Sequence, residues 1–176
     1  MKLVIVILAA ILLCAADWPP AKSPAVSRAD GYVAFPDAAL SPSKETKYRA
    51  VFDATRAASK PTELIPAINM AALQLNALAA VGVPLSNAKF VVVFHGDAVD
   101  GILDSEHYKA KFGTDNPNLG AIREMKKAGV EFFVCGQYLA RKKIDPKTLS
   151  PEITLAAGAL LVLMHYQNNG YALISF

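Results

Sequence analysis

The chain has few thiols: among its 176 residues there are two cysteines, Cys14 and Cys135. No CxxC pair occurs, which argues against a dithiol mechanism of the thioredoxin type. The three histidines lack the close spacing of metal ligands, so we expect no metal site and no cofactor. A phosphate-binding glycine loop of the usual spacing and a serine nucleophile elbow are also missing, which disfavours nucleotide binding and serine hydrolase chemistry.

No strong excess of either charge is present, with 18 lysines and arginines against 15 acidic residues. Nucleic-acid binding normally needs a basic face, so we expect none here. One basic run stands out, Arg141-Lys142-Lys143. It is interpreted first as solvated surface and second as a group that attracts anions.

A long hydrophobic run occurs once, from Leu3 to Ala16, directly after Met1-Lys2. It falls short of the roughly 20 residues that span a bilayer. A single lysine, an apolar core and small residues at its end are typical of a secretory signal, so we predict cleavage after Ala16 and a periplasmic protein with no membrane span. Lipidation at Cys14 is a weaker alternative, because Leu13 occupies a place where a small residue is wanted. A third alternative is that the apolar run is not cleaved and anchors the protein to the membrane.

Residues 17–44 differ in composition from the rest of the chain. They contain Pro19, Pro20, Pro24, Pro36 and Pro42 among alanines and serines. Proline fixes φ and removes a backbone donor, so we predict a linker or loosely draped arm. Residues 45–176 then form one α/β domain.

That domain alternates strands and helices. The strand candidates are Tyr48–Phe52, Phe90–Phe94, Phe132–Val134 and Tyr171–Phe176; the helix candidates are Glu63–Val81, a weaker Leu103–Phe112, a helix opened by Asn116-Pro117 and ended by Gly129, and a long one from Ser150-Pro151-Glu152 to about Asn168. This order predicts a three-layer α/β/α sandwich with a mostly parallel sheet of about four to five strands. The last helix is apolar on every side from Leu155 to Met164, which predicts complete burial and a second subunit that covers part of it.

Three of the predicted strands end in a functional side chain: Asp53, His95 and Cys135. Parallel strands bring their carboxyl ends to one rim, where ligands of open α/β sheets collect. At Cys135, backbone amides at the turn of Gly136 and Gln137 would stabilise a thiolate, the reactive form of the sulfur. The alternative is a small, buried filler at a strand end.

The neighbouring candidates are also open to two interpretations. His95, followed by Gly96, is either a base near the sulfur or a histidine satisfied by backbone groups. Asp53 either orients a partner or caps a turn. Asn116 and Asn118 could bind a polar ligand. Helix capping explains Asn116 without any ligand, so Asn118 is the candidate that remains.

From about Lys89 onward the chain resembles the DsrE/DsrF-like family of sulfur-relay proteins. The resemblance is carried by five segments in order: Val91-Val92-Val93-Phe94-His95-Gly96, Asn116-Pro117-Asn118, Ala128-Gly129-Val130, Val134-Cys135-Gly136-Gln137 and Gln167-Asn168-Asn169-Gly170-Tyr171-Ala172-Leu173-Ile174. It covers roughly the last 130 residues, less distinctively between Lys47 and Gly82.

The resemblance implies a compact α/β/α domain in a homotrimer or homohexamer, and a cysteine that carries sulfur as a persulfide in some members. Cys135 falls at that cysteine's place. Tyr138 stands where some relatives have a second cysteine, and the export signal also departs from the cytoplasmic carriers, so their delivery pathway does not transfer directly.

There are three hypotheses for the function. The first is a periplasmic sulfur carrier or sulfurtransferase-like protein with catalytic Cys135, assisted by His95, and with a protein as sulfur donor or acceptor. The second is a non-catalytic, oligomeric module that binds a small polar ligand with Asp53, His95, Asn118 and Gln137. The third is a structural partner protein whose interface is the long apolar helix.

Overall fold

The computed structural model describes residues 18–175 of the chain. The predicted signal segment and the final residue of the predicted last strand lie outside them. Within the described part, five strands form one sheet: β1 (Tyr48–Ala54), β2 (Ala88–Phe94), β3 (Glu131–Cys135), β4 (Thr154–Ala156) and β5 (Ala172–Ser175). Every pairing is parallel and the order is β4-β3-β2-β1-β5, which confirms the predicted sheet.

Five α-helices connect or flank these strands in the described region: α1 (Pro66–Ala80), α2 (Ser105–Phe112), α3 (Asn118–Lys127), α4 (Gly136–Lys142) and α5 (Ala159–Asn168). Short 3-10 turns cover Leu85–Asn87, Gly96–Ile102 and Pro146–Thr148. Helices α1 and α3 pack on one face of the sheet and α5 packs on the other, over β1, β2 and β3. The three-layer sandwich is therefore as predicted.

The apolar run of β2 explains how one strand serves both layers. Side chains alternate between the two faces of a strand. Phe90, Val92 and Phe94 accordingly join the large core under α1 and α3, whereas Val91 and Val93 join the smaller cluster under α5. All five are buried, as expected for a parallel strand covered on both sides.

The start of α3 follows the capping logic of its sequence. The Asn116 side-chain oxygen accepts a hydrogen bond from the Asn118 backbone N–H at 2.9 Å, and Pro117 already has helical dihedrals. The helix ends before Gly129, which has a φ of 91°. Since glycine adopts positive φ without a steric penalty, the turn into β3 is possible there.

The predicted long helix from Ser150 was wrong in its first half. Pro151 and Glu152 form a turn, Thr154–Ala156 is strand β4, and the helix begins at Ala159 after Gly158 in an extended conformation. The exposed edge of β3 accounts for the difference, because Thr154, Leu155 and Ala156 pair with Phe133, Val134 and Cys135. Pairing with β3 outweighs the local helix signals in a segment that glycine interrupts.

Complete burial of that helix was also wrong for the single chain. Leu163 is buried, but Leu160, Leu161 and Met164 are 68%, 59% and 51% exposed. An apolar surface of this kind is typical of an interaction site. No helix within residues 18–175 is long and apolar enough to cross a membrane.

Part of the proline-rich arm packs on the domain. Lys22 and Tyr32 bridge in antiparallel fashion, and Val26 between them is fully buried. Asn76 of α1 holds this loop: its side-chain oxygen accepts from the N–H groups of Ala25 and Val26, and its amide donates to the carbonyls of Val26 and Asp30. The assignment of residues 17–44 as a separate arm stays a prediction, but this stretch is anchored.

Candidate functional site

The site is built where three neighbouring strands end. Asp53, His95 and Cys135 have the same strand parity as Val51, Val91 and Val93, so all three lie toward the α5 layer. Phe94 pairs with Val134 in the β2–β3 ladder. His95 and Cys135 come one residue later on adjacent parallel strands, which lie about 4.8 Å apart.

His95 and Asp53 form a direct contact. The His95 Nε2 atom lies 2.6 Å from the Asp53 Oδ1 atom, and the two side chains are 26% and 19% exposed. The His95 backbone N–H also donates to the Ala54 carbonyl at 3.0 Å, which fixes the residue against β1. A carboxylate on Nε2 favours the tautomer with its proton on Nε2, which leaves the Nδ1 lone pair free to accept a proton.

Gly96 gives the chain its sharp exit from β2. Its φ is 60°, and a Cβ atom there would lie 2.9 Å from the Thr55 carbonyl oxygen. A larger residue would therefore push the loop away from β1 and disturb the His95–Asp53 contact. Backbone geometry therefore favours glycine at position 96, whereas its part in a functional site stays a prediction.

Cys135 is a free thiol, 8% exposed, at the junction of β3 and α4. The next residue, Gly136, lies very close to the neighbouring strand, since a Cβ atom would lie 2.8 Å from the Ala156 carbonyl oxygen. Glycine therefore allows α4 to begin directly after the sulfur. The first amides of a helix have no partner within it, and they favour negative charge nearby.

A surface cavity of about 500 Å³ joins these groups. It is lined by His95, Cys135, Gln137, Tyr138 and Arg141 on one side and by Ala157 to Leu161 on the other. The Gln137 side-chain amide donates to the Ala157 carbonyl at 3.2 Å and so ties α4 to the start of α5. The cavity is of the size that small-molecule ligands occupy.

Sequence reasoning missed Tyr138 and Arg141 as lining residues. Both lie on α4, one helical turn apart, with side chains on the same face. The sequence signal that could have revealed them is their spacing of three residues on a helix that begins directly after Cys135. The sequence pattern by itself places Arg141 in a basic run, interpreted first as solvated surface and second as a group that attracts anions.

Asn118, in contrast, does not reach the cavity. It is fully buried beneath α1, where its oxygen accepts from the Ile65 N–H at 2.9 Å and its amide donates to Asn116 Oδ1 at 3.0 Å. Asn116 in turn donates to the carbonyls of Gly101 and Leu103. These two asparagines therefore use their side chains to connect the start of α3 to the segments before α1 and α2.

Charged groups of both signs lie near the cavity. Arg141 has no ion-pair partner among residues 18–175, and Lys142 lies 5.9 Å from the centre of the Tyr138 ring. Burial and then the carboxylates of Asp97 and Asp100 raise the pKa of Tyr138, and Lys111 opposes them. Tyr138 is therefore neutral near pH 7 and can donate a hydrogen bond.

Solved structures with this architecture include MTH1491 of Methanobacterium thermoautotrophicum, described as a protein of unknown function, with 18% identity and a TM-score of 0.51. The ychN protein of E. coli is similar at 15% identity with a TM-score of 0.52. Each alignment covers 73% of this chain and 99% of the other. At these identities the likeness establishes the fold.

No curated protein gives a significant match to the chain. The family model described as the DsrE/DsrF-like family matches residues 41–176, which include every strand, both walls of the cavity and the three strand-end side chains. The chain belongs to the DsrE/DsrF-like family.

Proposed function

We propose that this protein is a periplasmic sulfur carrier that holds sulfane sulfur as a persulfide on Cys135. The observation that carries the proposal is that a free thiol and a histidine line one open cavity, and that Asp53, outside the lining, holds this histidine by a hydrogen bond. A cysteine that only filled the core would need neither the cavity nor a base beside it.

The proposed chemistry assigns one role to each group. The thiol proton of Cys135 passes to Nδ1 of His95, whose imidazolium is stabilised by Asp53. The thiolate attacks the outer sulfur of a donor; a sulfur–sulfur bond forms at Cys135, the donor's sulfur bond breaks, and the leaving group departs with the electron pair. Amides at the start of α4 stabilise the thiolate and then the persulfide anion.

Release of the sulfur requires a second molecule. Tyr138 stands where some relatives have a second cysteine, and Cys135 is the one thiol in the described residues. An acceptor thiol must therefore approach the cavity from outside. The proposal includes a homo-oligomer, trimer or hexamer, and the exposed side chains of Leu160, Leu161 and Met164 supply a surface for its contacts.

Intact mass spectrometry tests the proposal. The purified chain is exposed to polysulfide or thiosulfate beside a Cys135→Ser control. We expect a gain of one sulfur atom that dithiothreitol removes and that the control lacks. An accessible thiol that gains no sulfur from either donor would refute the carrier function.

The second candidate is a non-catalytic module that binds a small polar ligand in the same cavity. The near-complete burial of Cys135 favours it, because reactive cysteines are usually partly exposed. Alkylation kinetics separate the two. A rate like that of an ordinary buried thiol, together with ligand binding unaffected by Cys135→Ser, would support the binding module.

A further inference from the structure

Arg141 is the one cation that lines the Cys135 cavity, within the part of the chain that the structure describes. The other lining side chains are neutral or apolar apart from His95, and no carboxylate is among them. Because Arg141 has no acidic partner in residues 18–175, its charge is not neutralised by the protein. Guanidinium groups bind oxyanions through paired N–H donors.

The apolar wall limits what can approach from the other side. Ala157, Gly158, Leu160 and Leu161 line the same cavity as Arg141. They offer a substrate no polar side chain, so a charged group entering the cavity has Arg141, Tyr138 and Gln137 as its side-chain hydrogen-bond partners beside His95. The space of about 500 Å³ fits a small molecule rather than a folded chain.

We propose that Arg141 is a specificity-determining residue that selects small anionic sulfur donors ending in an oxyanion, of which thiosulfate is the simplest. This inference rests on the proposed carrier function and names its substrate class. The Cys135 thiolate bonds to the outer sulfur of thiosulfate, the sulfur–sulfur bond of thiosulfate breaks, and sulfite leaves with the electron pair. No oxidant is consumed. Arg141 holds the sulfonate end, where negative charge grows as sulfite departs.

Two carboxylates near the cavity oppose an anion: Asp53, which contacts His95, and Asp97, which acts on Tyr138. Asp97 is the one that the proposed mechanism does not use. It is exposed, follows His95 by two residues, and contributes with Asp100 to the raised pKa of Tyr138. It does not line the cavity, whereas Arg141 does. Removing it should strengthen the preference for anions, whereas removing Arg141 should abolish it.

Charge selection can be measured with alkylating reagents, independently of persulfide chemistry. Iodoacetate and iodoacetamide react with a thiolate in the same way, but one carries a carboxylate. The ratio of their rate constants at Cys135 reports the electrostatic potential near the thiol. We expect Arg141→Gln to lower the iodoacetate-to-iodoacetamide ratio roughly three- to tenfold at low salt. Arg141→Lys should retain most of the ratio, and added salt should reduce it in the unmodified chain.

Lys143→Gln is the matched control. It also removes one positive charge, but Lys143 lies two residues after Arg141 and does not line the cavity. It should change the ratio less than about twofold. Thiosulfate provides the second readout: Arg141→Gln should slow the gain of sulfur, and Asp97→Asn should not.

The outcomes separate the two proposals. If Cys135 alkylates and takes up sulfur but Arg141→Gln leaves both the ratio and the thiosulfate rate unchanged, Arg141 has no selective role and the carrier function stands. If neither reagent reaches Cys135 and no sulfur is gained, the carrier function and the inference both fail. A loss of thiosulfate transfer in Arg141→Gln with polysulfide transfer kept supports oxyanion selection most directly.

Discussion

The two faces of the sheet are built differently. Under α1 and α3 lies a large, continuous core that includes Phe94, Phe132, Ile122 and Met125, all fully buried. Under α5 lies a small cluster that consists of three valines, Ala159, Leu163 and Cys135. The first face is sealed further by the arm around Val26, while the second leaves leucines in solvent.

The two faces therefore differ in what they contribute: one mainly stabilises the domain, and the other contains the cavity. A closed core on one face supplies most of the apolar burial that stabilises the domain. The other face keeps an open rim, where a cavity is lined by Cys135 and His95. Side chains of α5 can stay exposed because the core under α1 and α3 provides most of the buried apolar surface. The comparison can be tested from the strongest expected effect to the weakest.

Removing a large side chain from the closed face should have the strongest effect. Phe132→Ala leaves a cavity in a site with no exposed surface, so we expect the free energy of unfolding to fall by about 3–5 kcal/mol. Leu161→Ala on the open face should cost less than about 1 kcal/mol. Urea denaturation at low protein concentration measures both. Equal losses would show that the open face is as important for folding as the closed one.

The arm should depend on one buried asparagine. Asn76→Ala leaves the backbone groups of Ala25, Val26 and Asp30 without their partner. We expect a loss of about 2–3 kcal/mol and faster proteolysis within residues 22–32. Asn69→Ala is the control, because its hydrogen bonds to Asp30 are exposed. An arm that stays protected in Asn76→Ala would contradict this anchoring.

The open face should carry the contacts of the proposed oligomer. Met164 is half exposed on α5, and Met164→Arg places a charge in that surface. We expect light scattering to report a smaller assembly, with the circular dichroism spectrum unchanged. Ala110→Arg, on exposed α2, should leave the mass as it was. A chain that is already monomeric at micromolar concentration would refute a homo-oligomeric interface on α5.

At the rim, Asp53 should act through His95. Asp53→Asn keeps the shape but removes the carboxylate that favours one histidine tautomer, so we expect Cys135 alkylation near neutral pH to slow on the order of tenfold. The pH profile should shift as well, which a purely structural role would not cause. Asp97→Asn is the control. An unchanged profile in Asp53→Asn would remove His95 from the proposed mechanism.

The smallest expected effect concerns Tyr166, on the open face over Phe133. Burial, followed by the nearby Glu131 carboxylate, raises the pKa of Tyr166 to about 12. A raised pKa favours the protonated form in the folded state, so this stabilisation is complete below the ordinary tyrosine pKa and is lost as the pH rises toward 12. Tyr166→Phe should remove the last step of the tyrosinate absorbance titration. If that step persists, another tyrosine has the highest pKa in the folded chain.

The sequence predicted the first three strands and α1 well because their signals are local. The continuous valine run of β2 reflects burial on both faces, and the apolar stripe of α1 reflects the helical spacing that burial on one face imposes. The segment from Ser150 to Gly158 was predicted wrongly since its local signals favour a helix, while the free edge of β3, distant in sequence, offers backbone partners. Tertiary pairing decided that case.

The candidate site divides in the same way. The sequence by itself determined the family and placed Asp53, His95 and Cys135 at strand ends, because a strand that stops at a polar residue is a local pattern. The tertiary structure decided that Asp53 contacts His95, that Arg141 lines the cavity beside Cys135, and that Asn118 lies in the interior. These depend on distances between elements far apart in sequence, which are set by how helices pack on the two faces of the sheet and are not encoded in the spacing of any one segment.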